Sequence, residues 1–335
     1  MSNNFFTLSQ EEQAALIKKA SSQFDMPESV IEKDIWVCWL LEKIFALPVQ
    51  MVFKGGTSLS KVFKLIHRFS EDCDITIDYR FFKPDLNLRN LSKSQLKKVG
   101  EQLKLQLQTY VLNIALPYLR DQALKAFSEK KFEITLSENG EQFRFYYPSI
   151  MSEMHDYLRD HVLIEFGVRN STEPCERHVI QTYLEKVTGS DLHFPELMIN
   201  TLSPIRTFFE KATLIHVECN RDRMIQTPER LSRHWYDLYM LNNSWVGETA
   251  FENAFILKNV IEHKKAFFNS SYANYDSCLL GKFRLIPDDF HLKNLKDDFR
   301  KMIRAGMFHE SPPKFDEMVK TLFRLEQKIN QHAWE

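Results

Sequence analysis

Two adjacent glycines, Gly55 and Gly56, constrain the fold of this chain more than any other feature. An apolar segment of strand length, 49–53, precedes them, and apolar residues at helical spacing follow them. A second apolar alternation opens with the acidic residues Asp72 and Asp74. This order predicts a strand, a glycine turn, a short helix and a second strand.

The same unit predicts a chemistry. Glycines allow a backbone to approach a phosphate closely, and the N–H groups of a turn and a helix start face the anion. Asp72 and Asp74 project to one face because side chains alternate along a strand. Two carboxylates on one face can hold Mg²⁺, which favours oxygen ligands and often shares them with substrate phosphates. The unit therefore predicts metal-dependent nucleotidyl transfer.

These residues also carry a family resemblance. The glycine turn followed by Asp72 and Asp74 resembles the first motif of the DNA polymerase beta-like nucleotidyltransferase superfamily. The longer strings 53–59 and 68–75 resemble the AbiEii/AbiGii toxin family, which includes the MenT-type toxins of bacterial toxin–antitoxin systems. Segments 29–37 and 233–238 agree, so the resemblance spans roughly residues 25 to 245.

The element patterns and the family resemblance together predict an α/β (α+β) fold. The resemblance implies a nucleotidyltransferase mixed-sheet core with flanking helices, and the patterns predict a helical C-terminal half. A compositional change suggests a core at 1–202, including N-terminal helices, and a helical region at 203–335. The patterns predict a long helix from 92 to about 119, a hairpin around Asn139-Gly140 and a strand at 161–168. Two further strands are possible at 178–184 and 197–202, and the predicted later helices are 204–219, 229–242, 246–268, 288–306 and 312–331.

Several residues are candidates for binding the nucleotide. The turn itself and basic residues near it or on the first C-terminal helix form this set, which comprises Lys54, Gly55, Gly56, Thr57, Ser58, Arg68 and Arg206. An arginine offers a fork to phosphate oxygens. Arg206 is five positions before Lys211 and is not strictly on the same helix face.

Three more residues are candidate catalytic groups beside Asp72 and Asp74. Glu165 lies within an apolar strand, where an ionised carboxylate is costly unless it is paired or bound to metal; the resemblance implies that it orients or deprotonates the attacking hydroxyl. The resemblance also implies that Lys211 contacts the phosphates and that Asp237 anchors Lys211 or the nucleotide. The structural alternatives are a solvent-facing Glu165, a Lys211 that extends to solvent, and an Asp237 paired with Arg233.

Composition limits the remaining functions. The net charge is −1, so any nucleic-acid contact requires a local patch. Two interpretations of the basic residues after 203 remain: they line an RNA-facing patch, or they lie on solvated helix faces. These residues include Arg221, Arg223, Arg230, Lys293, Lys296, Arg300, Lys301 and Arg304. Five scattered cysteines, no signal peptide and no long apolar run predict a cytoplasmic protein without a membrane span.

The resemblance implies transfer of a nucleoside monophosphate from an NTP, with Mg²⁺, to RNA at a tRNA 3′ end. It also implies a bacterial toxin–antitoxin or abortive-infection system with a cognate antitoxin as partner. Transfer to a protein or a small molecule, phosphoryl transfer, and a nucleotide-binding module without turnover remain open alternatives.

Overall fold

The structure, a computed structural model, describes residues 4–88, 91–127, 132–151, 159–189, 192, 194, 197–221 and 230–334. The chain divides into two compact units. The first comprises Met1–Val62, Arg68–Asn87 and Val99–Thr201, and the second comprises Phe63–His67, Leu88–Lys98 and Leu202–Glu335.

The first unit opens with two helices whose starts are encoded locally. After a 3₁₀ turn at Phe5–Thr7, helix α1 spans Gln10–Phe24, and Ser9 forms a capping box with Glu12 at its start. Helix α2 spans Glu28–Phe45 and begins directly after Pro27. It is buried along most of its length, including charged residues near its start.

The predicted strand–turn–helix–strand unit is present. Strand β1 is Met51–Lys54, helix α3 is Gly55–Lys61 and strand β2 is Asp72–Ile77. The helix differs from the prediction because it begins at Gly55 itself and ends before Val62, Phe63 and Ile66, three of the apolar residues at helical spacing. Lys64 has a φ of 54°, a left-handed conformation that interrupts helical geometry there.

The chain from 79 to 202 contributes the other five strands of the sheet, and within it residues 88–98 belong to the second unit. Helix α4 is Tyr79–Phe82, and helices α5 (Lys93–Tyr110) and α6 (Leu116–Ala126) are joined by a π-helical segment, Val111–Ala115. The predicted hairpin is formed by β3 (Glu133–Leu136) and β4 (Gln142–Tyr146), with Gly140 at a φ of 65° in its turn. Strand β5 is Val162–Gly167, β6 is Cys175–Ile180, helix α7 is Glu185–Thr188 and β7 is Leu197–Leu202.

The seven strands form one mixed sheet in the order β3-β4-β5-β2-β1-β7-β6. Strand β2 pairs antiparallel with β1 and parallel with β5, so it lies in the middle of the sheet. Strand β1 in turn pairs parallel with β7. The predicted mixed α/β fold class is confirmed.

The second unit is helical. Its helices are α8 (Pro204–Asn220), α9 (Ser232–Asn242), α10 (Trp245–Phe251), α11 (Ala254–Phe267), α12 (Asp289–Arg304) and α13 (Phe315–Gln331), with a 3₁₀ turn at Tyr275–Leu279. The prediction of a single helix at 246–268 is wrong, because Glu252 and Asn253 are not helical and separate α10 from α11. Within the described part of the chain, no helix is both long and apolar enough to cross a bilayer.

Candidate active site

Cross-strand register places the predicted acidic residues beside one another. Asp74 on β2 is the direct partner of Glu165 on β5 and of Lys54 on β1. Directly opposed residues share a sheet face, and Asp72 shares it too because it lies two positions from Asp74. The result is one row, Lys54–Asp74–Glu165, with Asp72 adjacent on the same face.

The glycine turn lies against this row. A Cβ added at Gly55 would lie 1.9 Å from Asp74 Oδ2, and Gly55 has a φ of +78°. A Cβ added at Gly56 would lie 2.6 Å from Arg68 Nη2 and 2.8 Å from Ser70 Oγ. A side chain at either glycine would therefore displace a neighbouring side chain, and the displaced groups include two of the predicted site residues, Asp74 and Arg68.

The hydroxyls of the turn hold the turn itself together. Thr57 Oγ1 donates to the backbone oxygen of Asp72 at 2.5 Å, and Ser58 Oγ donates to that of Gly55 at 2.9 Å. Both residues are buried. The Thr57 bond ties α3 to the start of β2, so these hydroxyls position the glycines and Asp72. Their predicted contact with the nucleotide stays a prediction.

Glu165 is half-buried and keeps capacity to accept further hydrogen bonds. Gln142, its neighbour on β4, donates its side-chain amide to Glu165 Oε1 at 2.8 Å. A carboxylate offers about four acceptor sites, so this bond orients the group without saturating it.

Cys73 lies between the two aspartates in sequence but on the other face of the sheet. Burial, with added repulsion from Asp72 and Asp74, raises the pKa of its thiol well above the usual value. The thiol therefore stays protonated and is not a nucleophile.

A buried network next to Asp72 was missed by the sequence analysis. Arg159 Nη1 donates to Asp72 Oδ1 at 2.8 Å. Glu71 forms an ion pair with Lys33, and both side chains are almost fully buried. Glu71, which directly precedes Asp72 in the sequence, is therefore a buried partner of Lys33.

Lys33 belongs to a run of three buried charged residues, Glu32, Lys33 and Asp34, near the start of α2. Glu32 accepts from the Ile150 amide at 2.8 Å, and Asp34 accepts from the Tyr183 amide at 2.8 Å and pairs with Lys61. Successive helix positions point about 100° apart, so each residue reaches a different element. The signal in the sequence was a charged triplet inside an otherwise apolar helix.

Asp72 and Asp74 fit a magnesium site in which the protein supplies only a few of the ligands. Among the residues that the structure describes, no group of three or more His, Cys, Asp or Glu side chains is arranged to hold a metal. Mg²⁺ does not require such a cage, since it usually keeps several waters and takes one or two carboxylates plus substrate phosphates. Two oxygen-bearing side chains on one face, beside a turn without Cβ atoms, match that donor set.

Lys211 and Asp237 meet in the second unit. Lys211 Nζ lies 2.7 Å from Asp237 Oδ2, and the side chains are 9% and 0% exposed. The anchoring of Lys211 by Asp237 agrees with the expectation, and the alternatives of a solvent-extended Lys211 and a surface Asp237 do not hold. Contact of this pair with nucleotide phosphates stays a prediction.

Arg206 has a different environment from the one expected. Its side chain is 2% exposed; Nε pairs with Glu210 at 3.1 Å, and Nη1 donates to Asn259 Oδ1 at 2.7 Å. These contacts join α8 to α11 and favour a packing role over the predicted nucleotide contact.

Several of the basic residues named for the second unit contact neighbouring groups. Arg221 donates to the Tyr272 hydroxyl at 3.0 Å, and Lys296 and Arg300 pair with acidic residues. Such pairs are typical of solvated helix faces, which was the alternative to an RNA-facing patch. Arg223 lies outside the described residues.

Comparison with known proteins decides the family. The sequence profile described as "Nucleotidyl transferase AbiEii toxin, Type IV TA system" matches residues 39–321. The chain belongs to the AbiEii nucleotidyltransferase toxin family. The family resemblance predicted from the sequence is therefore confirmed, as is the assignment as a nucleotidyltransferase. Membership of a type IV toxin–antitoxin family implies an NTP substrate and a cognate antitoxin.

Among solved structures, the AbiEii chain is similar to MenT4, a nucleotidyltransferase toxin from Mycobacterium tuberculosis. The TM-score is 0.45 at 15% sequence identity, and the match covers 97% of this chain and 98% of that chain. No curated protein sequence matches the chain significantly.

Proposed function

We propose that this AbiEii-family toxin transfers a nucleoside monophosphate from an NTP to the 3′ end of a tRNA, in a Mg²⁺-dependent reaction. The observation that supports the chemistry best is the row Lys54–Asp74–Glu165 with Asp72 beside it, packed against a turn whose glycines leave no room for a Cβ. The tRNA acceptor rests on the family resemblance of the sequence.

Asp72 and Asp74 would hold the metal ion. When bound, Mg²⁺ supplies charge neutralisation at the phosphates. The Gly55-Gly56 turn allows the phosphates to approach the backbone, and Lys54 and Arg68 contribute positive charge beside it. Lys211, held by Asp237, is proposed as a further phosphate contact because of its motif.

The acceptor hydroxyl would attack the α-phosphate in line. A new phosphorus–oxygen bond forms to the acceptor, the bond to the bridging oxygen breaks, and pyrophosphate leaves. Glu165, oriented by Gln142, takes the proton of the attacking hydroxyl on its carboxylate. The chain's own contribution is thus mainly positioning and charge.

Substitution of the acidic pair tests the chemistry. Asp72→Asn and Asp74→Asn should each lower transfer by about 10³-fold, because several kcal/mol of charge stabilisation would be lost. The fold should persist, since Asn keeps the size of Asp and can still accept from Arg159. Asp85→Asn, which changes an exposed carboxylate in the same unit, is the matched control and should transfer normally.

Full activity of either site variant at saturating Mg²⁺, with a normal thermal unfolding curve, would show that the metal site is misplaced. An equal loss of transfer in Asp85→Asn would show that the effect is not specific to the proposed metal ligands.

Labelling identifies the acceptor. The purified protein is incubated with Mg²⁺, each α-³²P-labelled NTP in turn, and purified tRNA or total RNA. Label at the tRNA 3′ end is the expected result, and salt should weaken it only modestly because the net charge is −1. Label in a protein or small molecule would refute the tRNA acceptor and leave nucleotidyl transfer intact. Label from a γ-³²P-labelled NTP alone would indicate phosphoryl transfer instead.

A further inference from the structure

Arg159 occupies an oxygen that the proposed metal ion would use. Its Nη1 atom lies 2.8 Å from Asp72 Oδ1, and the Asp72 side chain is 5% exposed whereas that of Arg159 is 32% exposed. The guanidinium therefore reaches a nearly buried carboxylate while keeping a solvent-facing side.

The backbone of Arg159 is held on both sides by the buried ion pair of Lys33 and Glu71. The Arg159 amide donates to Glu71 Oε2 at 3.2 Å, and the Arg159 carbonyl accepts from Lys33 Nζ at 2.6 Å. A buried ion pair favours a defined geometry when its remaining donors and acceptors are satisfied. Here the Arg159 amide and carbonyl are among the groups that satisfy them, so the backbone from which the guanidinium extends is held by the core of the unit.

This placement has an electrostatic consequence. A guanidinium and a divalent cation compete for the Asp72 carboxylate and repel each other at such short range. A guanidinium also binds phosphate oxygens well, because its planar fork matches their geometry. A nucleoside triphosphate arriving at the site therefore offers Arg159 an alternative partner.

We infer that Arg159 is a positioning residue that holds Asp72 and opposes metal binding until a nucleoside triphosphate draws its guanidinium away. Metal and nucleotide would then bind cooperatively through one side chain. The inference rests on the proposed function, because it takes Asp72 as a metal ligand, and it adds a regulation of that site.

Metal affinity provides a test that does not depend on turnover. Binding of Mn²⁺, as a probe for Mg²⁺, is measured by calorimetry or by its paramagnetic resonance signal in the wild type, Arg159→Gln and Arg159→Lys. Without nucleotide, Arg159→Gln should bind Mn²⁺ roughly two- to fivefold more tightly, which corresponds to an ion pair of about 0.5–1 kcal/mol. Arg159→Lys retains the charge and should remain near the wild type.

The same titrations are repeated with an NTP analogue whose α,β-bridging oxygen is replaced by NH, so that transfer cannot occur. The analogue should tighten Mn²⁺ binding more in the wild type than in Arg159→Gln. A purely structural role for Arg159 predicts no change in either measurement. Unchanged or weaker Mn²⁺ binding by a folded Arg159→Gln protein would overturn the inference.

Asp72→Asn separates the two proposals. Loss of Mn²⁺ binding in Asp72→Asn, combined with unchanged affinity in Arg159→Gln, would overturn the inference about Arg159 and leave the metal site standing. Wild-type Mn²⁺ affinity in Asp72→Asn, or the absence of Mn²⁺ binding by the wild type with and without the analogue, would overturn both.

Discussion

Replacement of Gly55 by alanine tests how closely the position of Asp74 controls transfer. Two separate effects are expected. The φ of +78° at Gly55 strains an alanine backbone by about 1–2 kcal/mol. The new Cβ would also lie 1.9 Å from Asp74 Oδ2, where an ordinary contact is at least about 3.4 Å.

The second effect acts mainly on activity. The carboxylate of Asp74 is the end of a short side chain, so it can rotate away at little cost in stability, but it must move by about 1.5 Å. A misplacement of about 1 Å at a reacting centre can lower a rate by about 100-fold. We therefore expect Gly55→Ala to lose about 1–2 kcal/mol in the free energy of unfolding and at least about 100-fold in kcat.

Gly189 provides the matched control. Its φ is also positive, at +55°, but an added Cβ would meet nothing within 4 Å. Gly189→Ala should show a similar loss of stability with normal transfer. Urea unfolding gives the first quantity, and single-turnover transfer of the labelled nucleotide at saturating Mg²⁺ and NTP gives the second. A destabilised Gly55→Ala protein that transfers at the wild-type rate would refute the reasoning, as would an equal loss of rate in Gly189→Ala.

Two further predictions concern buried ionisable groups in the helical unit. Removing one member of the Lys211–Asp237 pair, by Lys211→Met or Asp237→Leu, should destabilise the protein by about 3–5 kcal/mol, because it breaks a buried ion pair. The double variant should recover most of this stability in urea unfolding yet stay inactive, and its full activity would exclude a phosphate contact. Burial lowers the pKa of His216 to about 4, and its Nδ1 accepts from the Arg284 amide at 2.9 Å. The unfolded chain therefore binds this proton more readily, so up to ~3 kcal/mol of stability should be lost as pH falls from about 6.5 to 4. His216→Gln should flatten this part of the stability curve, and an unchanged slope would contradict the assignment.

The sequence predicted the parts of the site that are local in the chain. The glycine turn, the acidic strand and the hairpin each combine a turn signal with an apolar period, and they occur as expected. Failures arose where tertiary contacts or a single backbone torsion decide the outcome. Helix α3 ends early, and Lys64, three residues beyond its end, has a left-handed backbone conformation. The helical conformation is interrupted between α10 and α11, although neither a proline nor a glycine lies between them.

Long-range partners could not be predicted from a single sequence. Arg159 and Asp72 are 87 positions apart, and nothing in the pattern around either residue indicates the other. Lys33 lies in a segment that supported the family resemblance, but helical periodicity does not reveal that its ammonium is buried. The register that opposes Glu165 to Asp74 likewise depends on pairing between distant strands.

The central position of β2 also affects how the chain is made. Its neighbour β1 precedes it closely, whereas β5 begins at Val162, roughly 85 residues after β2 ends at Ile77. At about 5–20 residues per second, a ribosome needs roughly 5–15 seconds to supply that partner. During this interval the nascent sheet exposes an apolar strand edge, which is a template for aggregation. Charged side chains blunt such edges, so we expect Asp72 and Asp74 to limit aggregation of the unfinished chain, in addition to the metal-binding role proposed for them.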